Sequence, residues 1–167
     1  MKKVVICLVS ILFFFNNYSL AYNSNPKDFV AELVNEAITK LADKNLNKEE
    51  KAIFIEKIAL ENVDIHALGL YTLGELRKSS DKKIIAEYQQ AFEKYFLKSL
   101  TSRLTDYSSS KFEVLEFDKK SSNYTIVNSK VTPDDGGPEI KIDWRVYTKN
   151  PDKPLIRDLI VEGLSLA

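Results

Sequence analysis

Few residues of this 167-residue chain have the types and neighbours that chemistry demands, and Asp158 stands out among them. It lies in Leu155–Val161, a run with apolar residues on both faces, which marks a strand buried on both sides. Burial raises a carboxylate's pKa unless donors compensate. In a cone of helices over a sheet, such an acid can act as a proton-abstracting base. The alternative is a structural acid that accepts hydrogen bonds from a loop or helix end. The sequence names no basic or oxyanion-stabilising partner beside Asp158, so the structural role is favoured. His66, the sole histidine, sits between Ile65 and Ala67 on a short apolar segment. It reads as a partly buried structural residue rather than a triad member. One histidine and one cysteine are too few for a metal site with nitrogen or sulfur ligands, and none is expected. Gly136-Gly137 falls between strands rather than before a helix, so it is a turn and not a phosphate loop. Basic and acidic side chains balance at 24 each, and the lysines are scattered rather than interleaved with aromatics. No nucleic-acid partner is expected.

The elements around these residues follow from periodicity. Lys2 and Lys3, the apolar run Val4–Phe15 and the small residues of Ser19-Leu20-Ala21 read as an export signal cleaved after Ala21. Its removal takes away the only cysteine, Cys7, and leaves a slightly acidic domain that must rely on its core. Residues 22–167 then form one domain, with helices over about 26–106 and strands over about 111–166.

Asn25-Pro26-Lys27-Asp28 opens an amphipathic helix with apolar pairs from Phe29/Val30 to Leu41/Ala42. Asn47 and Glu50 form a capping box for a second helix, and a third, short one spans Asp64–Leu76. Ser79-Ser80-Asp81 opens the longest helix, running to about Asp106. From Phe112 the period becomes two, through Phe112–Phe117, Tyr124–Val131, Ile140–Tyr147 and Leu155–Leu166. In the third strand Ile140, Ile142, Trp144 and Val146 point one way, and Lys141, Asp143, Arg145 and Tyr147 the other. Helices first and a meander afterwards specify an α+β fold, with N-terminal helices packed on a twisted antiparallel four-stranded sheet.

The longest helix carries a broad aromatic stripe that includes Tyr88, Phe92, Tyr95, Phe96 and Leu100. Such a stripe is commonly plain core. Rings this large facing a sheet also prop open an apolar cavity, and the expected opposite wall is Ile126, Ile142, Trp144, Val146 and Ile160. These ten residues are the candidate apolar-ligand site.

The last strand, Asp158-Leu159-Ile160-Val161-Glu162-Gly163-Leu164-Ser165-Leu166, resembles that of the MlaC-like, or toluene-tolerance, family. Asp64 and Leu73-Gly74-Glu75-Leu76-Arg77-Lys78-Ser79-Ser80 resemble the family's acid and its LG-x-x-W-R-like segment, with Leu76 in place of tryptophan. Tyr88 and Phe92 match its paired aromatics, and Leu104 and Tyr107 the end of its long helix. The resemblance implies a periplasmic phospholipid carrier without cofactor or catalytic residues. It would exchange diacyl lipid between an outer-membrane lipoprotein complex and an inner-membrane ABC transporter, maintaining outer-membrane lipid asymmetry. In that family the chain runs on through an Asn/Tyr-Arg segment and a helix that helps close the cavity, and this sequence ends at Ala167, before both. Two other readings remain: a cone-shaped enzyme with Asp158 as base, and a lipid-free module that docks through an exposed sheet edge.

Overall fold

The computed structural model describes residues 22–105, 110–134 and 136–165. The expected signal Met1–Ala21 lies outside them, as do Asp106, Tyr107 and Leu166. Among the described residues five helices precede five strands. Helix α1, Pro26–Ala42, starts where the Asn25 side chain accepts from the Lys27 amide at 2.9 Å. Helix α2, Lys48–Asn62, has the expected box: Asn47 accepts from the Glu50 amide at 3.0 Å, and Glu50 accepts from the Asn47 amide at 2.9 Å. The single third helix expected over Asp64–Leu76 is in fact two, α3 (Ile65–Thr72) and α4 (Leu76–Ser79). Gly74 separates them at φ 54°, the left-handed conformation that ends helices and that glycine adopts without strain. Helix α5, Lys82–Leu104, starts at Asp81, whose carboxylate accepts from the Lys83 amide at 2.7 Å.

The strands β1 (Ser110–Ser121), β2 (Tyr124–Pro133), β3 (Ile140–Tyr147), β4 (Leu155–Val161) and β5 (Leu164–Ser165) form one antiparallel sheet in chain order. The expected last strand, Leu155–Leu166, breaks after Val161. Glu162 at φ 50° and Gly163 at φ 82° turn the chain back, so that Val161 pairs with Leu164 and Ile160 with Ser165. Two successive positive-φ residues characterise tight hairpin turns whose twist matches that of the strands. Hence the sheet has five strands rather than four.

The register sorts the side chains onto two faces. Val127 lies beside Trp144, Thr125 beside Val146, and Val146 beside Ile156, all on one face. Phe29, Val30 and Leu33 of α1 cover it and form the core with Val127, Val146 and Ile156. Burying each such side chain contributes roughly 1.5–3 kcal/mol. On the same face the Trp144 indole N–H donates to Ser129 Oγ at 2.8 Å, and its ring meets Phe112 edge-on.

The chain then crosses the β4 edge of the sheet. Val63, just after α2, bridges Ile156 in parallel, and the Asp64 amide donates to the Ile156 carbonyl at 2.8 Å. Helix α3 follows this crossing, and α5 packs on α2 and α3 rather than across the sheet. Gly69 allows the close approach: a Cβ there would lie 2.7 Å from Gln89 Oε1 and 2.9 Å from a Phe92 ring carbon.

Candidate functional site

Two features outside the core have the makings of a site. The first is the stripe on α5. Tyr88 and Phe92 stack with centroids 6.0 Å apart, and Phe92 and Phe96 with centroids 6.1 Å apart. The Tyr88 hydroxyl bonds Thr72 Oγ1 at 2.7 Å, which ties the first ring to α3. Yet none of the 23 residues of α5 is buried. Tyr88, Phe92, Phe96 and Leu100 are half-exposed, and Tyr95 is 72% exposed. An amphipathic helix normally buries its apolar stripe against a partner, and this one has done so only in part.

The opposite wall divides. Val146 is fully buried under α1, and Ile142 and Trp144 share its face. The rings of α5 therefore do not face Val146, as the strand pattern suggested, because α1 occupies that place. Ile126 and Ile160 lie on the other face, beside Arg145 and Asp143 respectively, and both are half-exposed.

The second feature is on that other face: a pocket of about 370 Å³. Its walls are Ala67, Leu70 and Tyr71 of α3, Arg77 of α4, Tyr124 of β2, Arg145 of β3 and Arg157 and Asp158 of β4. A bulge shapes it. Arg145 pairs with Asp158 and Val146 with Ile156, so Arg157 is an extra residue on β4, and such bulges re-aim side chains. Arg157 lies over the Tyr147 ring, its guanidinium carbon 3.4 Å from the centroid. Its Nε and Nη2 both meet Asp64 Oδ2 at 2.8 Å. The other oxygen of Asp64 accepts from the Ala67 amide at 3.0 Å, so one carboxylate caps α3 and holds Arg157.

Asp158 is 4% exposed. Its Oδ2 accepts from Ser165 Oγ at 2.7 Å and meets Arg145 Nη1 at 3.3 Å. Asp158 Oδ1 and Arg145 Nε, both buried, have no hydrogen-bond partner among the described residues. Burial pushes the Tyr124 phenol above its ordinary pKa, with Arg145 pulling it down and Asp158 adding to the rise. The partners of Asp158 fit a structural acid. His66, expected to be partly buried, is exposed, and its carbonyl accepts from Gln89 at 3.1 Å. Among the described residues no three His, Cys, Asp or Glu side chains cluster as a metal site.

Strand patterning gave the polar face of β3 but not this pocket. A compositional signal was there: the chain has four arginines and twenty lysines, and three of the arginines line the pocket while no lysine does.

The MlaC protein family model matches residues 31–167. The chain belongs to the MlaC family. No curated protein matches it in sequence. Among solved structures it resembles the phospholipid-binding protein of Ralstonia solanacearum, determined in complex with a phospholipid, with a TM-score of 0.67 and 15% identity over 86% of this chain and 80% of that one. At that identity the likeness shows the shared α+β fold. No described helix is long and apolar enough to cross a membrane.

Proposed function

We propose that this MlaC-family chain is a periplasmic phospholipid carrier, exported through Met1–Ala21, that shuttles diacyl lipid between the outer and inner membranes. The observation that carries this reading is α5: a stacked row of Tyr88, Phe92 and Phe96, continued by Leu100, on a helix with no buried residue. Apolar surface left uncovered in this way marks a binding site. Acyl chains lying along it would supply the missing burial, at roughly 0.8 kcal/mol per CH₂ removed from water. The phospholipid in the Ralstonia protein of the same fold supports this choice of ligand. Loading and unloading would take place at an outer-membrane lipoprotein complex and an inner-membrane ABC transporter. Binding and release need no covalent step, so the carrier is not an enzyme and takes no cofactor. The test is native mass spectrometry of the exported protein after detergent-free purification. Diacyl lipid bound at one per chain is expected, and protein that is lipid-free in every preparation would refute the proposal.

A further inference from the structure

We propose that the pocket formed by Arg77, Arg145 and Arg157 binds a phosphate group, and that in the carrier this is the lipid's phosphodiester; the lipid part of the inference rests on the carrier reading. Three of four arginines and none of twenty lysines line one pocket. Arginine's planar fork of donors matches phosphate oxygens in pairs, which a lysine ammonium does not. Two of the three are held in place. Asp64 and the Tyr147 ring fix Arg157, and Asp158 holds Arg145 through Nη1. A guanidinium has five N–H donors, so each acid leaves donors unused. Arg77, on α4, has no acidic partner among the described residues. Asp64 and Asp158 offset two of the three guanidinium charges, which leaves one positive charge in surplus, that of Arg77. The volume of about 370 Å³ is near the lower end of the roughly 300–1,000 Å³ typical of small-molecule sites. It suits a head group, with Leu70 and Tyr71 beside the first carbons, and leaves the acyl chains to another surface.

The test uses the full chain and Arg77→Gln, chosen because Arg77 is exposed and holds nothing else together. Phosphatidylglycerol and diacylglycerol with the same oleoyl chains are offered in equal amounts from octyl glucoside micelles, and bound lipid is counted by native mass spectrometry. In a second arm, inorganic phosphate is titrated against lipid-free protein and the melting temperature is followed. The wild type is expected to prefer the phospholipid by about tenfold or more, the effect of one charge-assisted contact, and Arg77→Gln to lose that preference. Equal retention of both lipids by both proteins, with no response to phosphate, would leave the carrier and remove the phosphate site. If neither lipid is retained but phosphate stabilises the wild type and not Arg77→Gln, the site stands with free phosphate as its source and the carrier reading falls. Absence of lipid and of phosphate response would overturn both.

Discussion

Asp158 combines near-complete burial with two partners on one oxygen, and its substitution should report on the fold rather than on a reaction. Asp158→Asn removes the charge that holds Arg145 and weakens the bond from Ser165. It should lower stability by about 1–3 kcal/mol in urea denaturation while leaving the native fold in place. That an acid inside an apolar strand is unusual was legible in the sequence. Its partners were not, because Ser165 reaches it only after the Glu162-Gly163 turn, and a bulge aligns Arg145 with it.

Tyr22 offers a test by pH. Burial raises its phenol well above the ordinary 10.0, helped by the hydrogen bond to Glu36 and by the charges of Glu36, Glu61 and Glu32. The folded state thus keeps a proton that the unfolded state loses near pH 10. Tyr22 therefore contributes stability fully below pH 10.0, and this is lost as pH rises toward the folded value. Tyr22→Phe should flatten the alkaline decline in chemical-denaturation stability above about pH 10.

Among the elements, the helix caps and the alternation of β3 were readable because both are local: Asn25, Asn47 and Asp81 act within three residues of themselves. The place of α5 was not. It depends on the crossing at Val63 and Asp64, where a bridge to Ile156 spans most of the chain and no periodicity announces it. Two apolar stripes suggested that α5 faces β3, but α1 covers that face first. The difference is measurable. Val146→Trp enters a filled core against Phe29 and Val30 and should cost about 1–3 kcal/mol by overpacking. Phe92→Trp, on half-exposed α5 and outside that core, should lower the melting temperature less than Val146→Trp. Gly69→Val drives a side chain into Gln89 and Phe92. It should cost about 1–3 kcal/mol in thermal melts and loosen α5 from α3, an effect that faster hydrogen exchange along α5 would register.

For the molecule as a whole, the core lies between the sheet and α1, while α5, with no buried residue, and the arginine pocket lie outside it. The proposed carrier role would give this division a reason, since a surface that receives an acyl chain must also release it. Filling that surface with protein side chains would give a more stable domain without cargo. The pocket and the α5 stripe adjoin α3 on different sides: Ala67, Leu70 and Tyr71 face the pocket, and Gly69 and Thr72 meet α5. One lipid engaging both would bind head and tails across that short helix. The most direct measurement is lipid occupancy of the purified protein by native mass spectrometry, comparing the wild type with Phe92→Asp, which places a charge in the middle of the α5 stripe and outside the core that Phe29, Val30 and Leu33 form with the sheet. One phospholipid per wild-type chain is expected, with at least a tenfold loss of occupancy in a Phe92→Asp variant that melts cooperatively. Equal occupancy in the two proteins, or none in the wild type, would contradict the carrier reading.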